Sequence, residues 1–292
     1  MKLGIIGNLE KPELTEAVRL FIRCLEEQRT EYILDEGIAG VLRTAGTDTS
    51  KMKIAKQEEC VSTVDILAAF GGDGTILWAA RNVGPGGTPI LGINLGKLGF
   101  LAEVAPSEIE AAVLDLINNR FEVEERLVLE ATSPGIPGKV LHAVNDVVVG
   151  KARSSRMLEL ETYIDGTFAV NYRGDGLIIS TPTGSTAYAL SNGGPIVIPT
   201  SSVLGLTPIS PHTLSGRPLI VPDHAVIRIV AQAGEGEVLL FADGQEEAVV
   251  GTPMELVIRK ADYRLHLLKR SNRSYFDVLR AKLHWGRDPR SK

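Results

Sequence analysis

The residues best suited to chemistry are Gly71-Gly72-Asp73-Gly74-Thr75. They follow an apolar run at 66–70 and open a helical pattern at 75–83. Glycines let a backbone approach a phosphate closely and adopt positive φ. A helix N-terminus adds free N–H groups and a partial positive charge. Gly71, Gly72, Gly74 and Thr75 are therefore candidate phosphate-binding residues. Asp73 does not belong in a pure anion site, because its carboxylate repels phosphate. It fits a proton acceptor for a hydroxyl nucleophile, or a group touching a phosphate-bound metal. The alternative is a helix N-cap in a tight turn.

Two further constellations carry polar chemistry. Asn145-Asp146 ends an apolar run, and Lys151, Arg153 and Arg156 follow it closely. Asn both donates and accepts, and Asp accepts two hydroxyls, which suits a ribose diol or an adenine edge. The cations suit a diphosphate, and solvated charges in a turn are the plain alternative. Asp175-Gly176 then leads to Thr181-Pro182-Thr183-Gly184-Ser185-Thr186-Ala187-Tyr188. Its hydroxyls and backbone N–H groups suit a base or sugar, with Tyr188 as a stacking face. A plain Ser/Thr-rich turn has the same composition.

The elements that must position these residues fall into two textures. From the N-terminus, residues 3–7, 66–70 and 89–94 read as buried strands. Between and after them lie helical spacings. Leu14, Ala17, Val18, Phe21, Ile22 and Leu25 form one, Ile76, Leu77, Ala80 and Val83 a second, and Ile109, Ala112, Val113, Leu116 and Ile117 a third. Strands alternating with helices predict a parallel sheet with flanking helices, an α/β domain. From Phe121 to about Lys260 there is no convincing long helix. Short β-rich runs take over at 126–131, 140–149, 158–164, 168–172, 177–180, 219–221, 225–230, 238–241 and 254–258. Asp165-Gly166 is a hairpin turn signal. Turns at this density predict an all-β, sandwich-like domain. The expected organisation is an α/β domain over 1–122, an all-β domain over 123–262 and a basic tail over 263–292. Residues 264–292 carry nine Lys/Arg against two acidic residues, and 275–283 is expected as a short helix packing back on the first domain.

Composition excludes several classes. The chain has 292 residues, with 31 Lys+Arg against 36 Asp+Glu, a net charge of −5. Mild acidity argues against a nucleic-acid partner. The two cysteines, Cys24 and Cys60, make no metal or disulfide framework and fit a reducing cytosol. No stretch reads as a signal peptide or a membrane span. The sequence 176–216 holds no Asp, Glu, Lys or Arg. An uncharged, turn-rich stretch of that length predicts a ligand lining or a subunit interface, with buried loops as the alternative. No Walker A loop, GxGxxG, HExxH or GxSxG is present.

GGDGT at 71–75, Asn145-Asp146 and DGLIISTPTGSTAY at 175–188 occur in the order and approximate spacing of the NAD kinases, also called inorganic polyphosphate/ATP-NAD kinases. The chain resembles this family, in its bacterial type, over nearly its whole length. The likeness extends to Lys11-Pro12, Gly92-Ile93-Asn94, Leu98-Gly99-Phe100, Glu125-Arg126-Leu127 and Asp243-Gly244-Gln245. The resemblance implies an α/β domain followed by an all-β domain. It implies ATP-dependent phosphorylation of the 2′-hydroxyl of the adenosine ribose of NAD, with a divalent cation such as Mg²⁺ or Mn²⁺. It also implies a homodimer or homotetramer whose NAD site reaches across a subunit interface. By motif match, Asp73 is the proton acceptor, and Gly71, Gly72, Gly74 and Thr75 cradle phosphate. Asn145 and Asp146 hold the adenosine and ribose. Thr186, Ala187, Tyr188 and Ser191 line the adenine pocket, and Phe100 flanks it. Asp175 meets NAD from the neighbouring subunit, and Arg156, Arg173 and Gln245 match further NAD contacts.

Two departures matter. Many members carry Asn-Glu where this chain has Asn145-Asp146, a carboxylate one methylene shorter. Arg173 stands where some polyphosphate-using members have Gly, which leans toward ATP as donor. The GGDGT loop alone also occurs in lipid and sugar kinases, which need an apolar groove in place of the Ser/Thr-rich 180–191 segment. A non-catalytic NAD(P) sensor has no use for Asp73. Incubation with NAD and Mg·ATP, assayed with an NADP-specific dehydrogenase, separates these readings.

Overall fold

The computed structural model describes residues 1–152, 157–213, 216–231, 236–270 and 274–284. The chain forms two compact units, 1–125 with 265–292, and 126–264. It passes from one to the other between Glu125 and Arg126 and back between Arg264 and Leu265.

The first unit alternates β1 (Lys2–Gly7), α1 (Leu14–Glu27), β2 (Glu31–Asp35), α2 (Glu36–Thr44), β3 (Ile54–Ala55), α3 (Gln57–Ser62), β4 (Ile66–Gly71), α4 (Asp73–Val83), β5 (Ile90–Asn94) and α5 (Ile109–Ile117). Its sheet runs β3-β2-β1-β4-β5, all parallel. β4 and β5 are buried at nearly every residue, as a strand covered on both faces must be. The expected stripe of α1 faces the core through Leu14, Ala17, Val18, Phe21, Ile22 and Leu25. The core continues through Phe70, Leu91, Ile93 and the apolar face of α5. The helix expected from Thr75 starts two residues earlier, at Asp73, with Gly72 as its N-cap and no side-chain cap bond.

Among its described residues the second unit is β apart from one short α-helix and one 3₁₀ turn, Thr183–Thr186. Its elements are β6 (Phe121–Thr132, begun in the first unit), β7 (Val140–Ala143), β8 (Asp146–Lys151), β9 (Leu158–Ile164), β10 (Thr167–Gly174), β11 (Gly176–Ser180), α6 (Tyr188–Ser191), β12 (Val203–Ile209), β13 (Leu219–Pro222), β14 (Ile227–Ala231), β15 (Glu237–Ala242), β16 (Glu246–Gly251) and β17 (Met254–Arg270, ending in the first unit). One antiparallel sheet runs β13-β12-β11-β8-β15-β16. A second contains β10-β9-β14-β17, also antiparallel. Alternate residues of both, such as Val147, Val149, Leu177, Ile179, Leu160, Ile227 and Leu256, share one core. That is the sandwich the turn density predicts. Asp165 and Gly166 both take positive φ in the β9–β10 hairpin, as its Asp-Gly signal requires.

The run expected at 140–149 is two strands, interrupted at Val144-Asn145. That break positions the site described below. The tail helix, α7 (Tyr275–Leu283), opens with a capping box in which Ser274 and Asp277 exchange bonds. It buries Val278 and Leu279 in the first unit. Among the described residues no helix is long and apolar enough to cross a membrane.

Candidate functional site

In the first unit, chemistry gathers where β4 meets α4. Asp73 is the first residue of α4, so its side chain does not cap the helix. It turns instead to the segment after β5. Oδ2 accepts from the Phe100 N–H at 2.9 Å, and Oδ1 accepts from Leu101 at 2.9 Å and Ala102 at 3.3 Å. Successive backbone N–H groups make a cradle for negative charge. Gly99 lets them come so near, since a Cβ there would lie 2.1 Å from Oδ1. A fourth donor is Lys282, whose Nζ lies 3.2 Å from Oδ2 and 4.5 Å from the centre of the Phe100 ring. Tyr275 packs against the same ring at 6.4 Å.

The glycines around Asp73 differ from expectation. None of Gly71, Gly72 and Gly74 has positive φ. Gly71 is needed because a Cβ would strike Thr75 Oγ1 at 2.1 Å, so Thr75 is folded back on the loop. Gly72 is extended, with open space where its Cβ would be, and Gly74 lies inside α4. The open approach at Gly72 suits an incoming phosphate.

In the second unit, a pocket of about 600 Å³ opens on the outer face of the six-stranded sheet. Val148, Ile209, Leu239 and Phe241 make its apolar walls, and Asn145, Asp146, Lys151, Asp175 and Asp243 its polar part. Ala187 and Tyr188 also line it, Tyr188 being 47% exposed. Of the residues expected to bind NAD, the pocket thus gathers Asn145, Asp146, Asp175, Ala187 and Tyr188. Thr186, Ser191, Gln245 and Arg173 do not line it. The Thr186 hydroxyl donates to the Thr183 carbonyl at 3.2 Å, and Ser191 closes α6. The Gln245 N–H donates to Ala242 in the hairpin turn at 3.0 Å. The Arg173 guanidinium sits 2.8 Å from Glu159 on the neighbouring strand, and both are exposed. Asp73, Gly74 and Phe100 belong to the first unit. Arg153 and Arg156 lie outside the described residues.

The Asn145-Asp146 turn is held from two sides. Asp243 takes the N–H groups of Val144 (2.9 Å), Asn145 (2.7 Å) and Asp146 (3.2 Å) on its carboxylate, and its own N–H donates to the Asp146 carbonyl. Opposite, Thr181 donates through Oγ to Val144 and through N–H to Asn145. Asp146 is 5% exposed. Burial, and then the charge of Asp243, push its carboxyl up to about 7, against the pull of the Tyr188 backbone N–H. Asp175 pairs with Lys151 at 2.6 Å on the pocket wall. Sequence reasoning gave Asp243 no task. Its signal was the Asp-Gly pair between two β-rich runs, and both residues take positive φ. Lys282 stood out in the sequence only as one cation of the tail.

Among the described residues no cluster of three or more His, Cys, Asp or Glu is placed to hold a metal.

Comparison with known proteins agrees with both units. Residues 3–121 match the family model for the ATP-NAD kinase N-terminal domain, and 144–270 match that for the ATP-NAD kinase C-terminal domain. An NAD kinase of Moorella thermoacetica is 41% identical over 287 residues, covering 98% of this chain and 90% of its own. One from Bacteroides fragilis is 37% identical over 301 residues, covering 99% and 100%. Among solved structures, yeast NADH kinase complexed with NADH aligns at a TM-score of 0.89 and 28% identity, over 100% of this chain and 90% of that one. An NAD kinase from Archaeoglobus fulgidus in complex with ATP aligns at 0.75 and 25% identity, over 96% and 99%. With two family models spanning most of its length and full-length relatives near 40% identity, the chain belongs to the ATP-NAD kinase family.

Proposed function

We propose that this chain makes NADP from NAD and ATP by the following division of labour. The sheet pocket takes the adenosine of NAD, with Tyr188 against the base and the Asn145-Asp146 turn on the ribose hydroxyls. Asp73 takes the proton from the 2′-hydroxyl. The freed oxygen attacks the γ-phosphorus of ATP, and the bond from that phosphorus to the β-γ bridging oxygen breaks. ADP leaves, and the proton passes from Asp73 to solvent. The transition state of phosphoryl transfer is loose, so positioning and charge neutralisation carry most of the catalysis. A divalent cation arriving with ATP neutralises the triphosphate while keeping much of its water. The observation that carries this reading is the clamped carboxylate of Asp73 at a glycine-opened helix start. The test is formation of NADP from NAD and Mg·ATP, with no product when NAD is replaced by a diacylglycerol or a sugar.

Asp146 makes NAD use pH-dependent. Its ionised form accepts two ribose hydroxyls, and its protonated form gives up one acceptor. With its carboxyl near 7, kcat/KM for NAD is expected to fall as pH drops through 7 toward 6. Stability runs the other way. A carboxyl raised from its ordinary value near 4 stabilises the fold fully below that value, and the contribution is lost as pH rises to about 7. Asp146→Asn cannot ionise. It should match wild-type stability near pH 4 and exceed it at pH 8, by on the order of 2–4 kcal/mol. Equal denaturation midpoints at pH 8 would remove the buried carboxylate from the account.

The cytoplasm is the compartment we assign, supported by two buried free thiols, Cys24 and Cys60. A homo-oligomer is the assembly we assign. The outer face of the six-stranded sheet leaves Val249, at 52% exposed, uncovered opposite Leu239 of the pocket wall, and Ile220, at 41%, uncovered on the edge strand. Dilution is expected to reduce specific activity in step with loss of oligomer mass. A fully active monomer by light scattering would sink this assignment.

A further inference from the structure

A carboxylate offers about four lone-pair positions for hydrogen bonds. On Asp73 all four are filled, by the N–H groups of Phe100, Leu101 and Ala102 and by Lys282 Nζ. A hydroxyl can deliver its proton only where one of these donors withdraws. The three N–H groups cannot withdraw singly, because they belong to one stretch of backbone packed on buried Leu101 and Ala102. Lys282 can. Its ammonium sits on a flexible stem, is 28% exposed, and lies at the last turn of α7. The helix beneath it is anchored by Val278, Leu279 and the Ser274–Asp277 capping box, so the stem pivots from a fixed base.

We propose that Lys282 is a donor-binding residue that exchanges partners during the reaction. In the resting enzyme its ammonium covers Asp73. When the anionic triphosphate arrives, the ammonium moves onto a phosphoryl oxygen and opens Oδ2 to the 2′-hydroxyl. The Phe100 face, 4.5 Å from Nζ, stabilises the cation along the way. One movement thus neutralises the donor and uncovers the base, which keeps the base blocked until ATP is present. The proposal rests on Asp73 as proton acceptor, and the experiment below reads the two separately.

The experiment compares Lys282→Met and Lys282→Arg with wild type in steady-state kinetics. It adds calorimetric binding of a non-hydrolysable ATP analogue to wild type, Asp73→Asn, Lys282→Met and the double variant. Lys282→Met is expected to lower kcat/KM for ATP by roughly 10–100-fold, the value of one lost charge-assisted contact. KM for NAD should stay within about two-fold, and Lys282→Arg should recover much of the loss. The partner exchange has its own signature. Asp73→Asn frees the ammonium from its carboxylate, so the analogue should bind more tightly to it than to wild type, by roughly 3–10-fold. That gain should vanish in the double variant. Unchanged kcat/KM for ATP in Lys282→Met overturns the proposal, as does a rise in kcat, which would make Lys282 an inhibitory plug. A lost midpoint of thermal unfolding without rescue by Arg would reduce Lys282 to a structural strut and also overturns it. Near-wild-type turnover in Asp73→Asn would remove the base and leave the binding cycle as the judge of Lys282 alone.

Discussion

Asp73→Asn is expected to lower kcat by on the order of 10²–10⁴-fold while NAD binds within a few-fold of wild type. The substitution keeps the shape of the loop. An amide oxygen in the place of Oδ1 still accepts from Leu101 and Ala102, which lie 2.9 and 3.3 Å from it. The amide nitrogen then faces the Phe100 N–H, donor against donor, where Oδ2 now accepts at 2.9 Å. That conflict costs about 1–3 kcal/mol of local stability. The chemical loss is of another size, because no group is left to take the 2′-hydroxyl proton. Separate measurement distinguishes the two. Denaturation midpoints report the clamp, NAD binding reports the pocket, and single-turnover rates report the proton acceptor. A variant with kcat within about five-fold of wild type would show that the clamp is the whole task of Asp73.

The parts of this architecture that could be read in the sequence are those set by local pattern. β4 is a six-residue run ending in glycine, and α4 follows at once with apolar residues at helical spacing. Local order therefore announces the strand–loop–helix that carries Asp73. The stretch from β2 to α3 carries no clear period because its elements are short or weakly helical. β3 has two residues, α3 has six, and α2 contains Gly37 and Gly40, which lower helix propensity. β12 is masked in the sequence by Gly205 and Pro208, residues that punctuate turns more often than strands. The break after β7 has no local cause. It is made by Asp243, 98 residues beyond Asn145 in sequence, whose carboxylate draws three backbone N–H groups out of the ladder. The same holds for Lys282, 209 residues from Asp73. Single-sequence patterns carry no information on such pairs. The residue types of the site were legible for another reason. Carboxylates, glycines and hydroxyls stand where apolar runs end, and that contrast is itself local. Arg173 and Gln245 are carried by the family likeness and not by that contrast; Arg173 pairs with Glu159 on the neighbouring strand, and the Gln245 backbone N–H closes the turn onto Ala242.

Gly184→Ala is expected to abolish useful NAD binding, raising KM for NAD by roughly 100-fold or more, and to destabilise the second unit by about 2–4 kcal/mol. In the sequence Gly184 reads as one of several small residues in a polar nest. Its place in the structure is narrower. A Cβ there would lie 2.0 Å from the Asn145 carbonyl oxygen, 2.4 Å from its carbonyl carbon and 2.6 Å from its Cα. All three are backbone atoms, so no side chain can rotate away. The Asn145-Asp146 turn cannot retreat either. Asp243 holds it through three N–H groups, and the Thr181 N–H holds the Asn145 carbonyl at 2.9 Å. Gly184 is fixed in turn, since its own N–H donates to Thr181 Oγ at 3.0 Å. One added methyl must therefore break one of these sets, and each sets the position of Asn145 or Asp146. Gly40→Ala makes the matching control. It lies within α2, where an added Cβ meets nothing within 4 Å, and should be neutral or stabilising by about 0.5–1 kcal/mol. The measurements are denaturation midpoints and KM for NAD in both variants. A Gly184→Ala protein with wild-type KM for NAD would mean that the turn it presses on does not hold the ribose, and the assignment of Asn145 and Asp146 would fall with it.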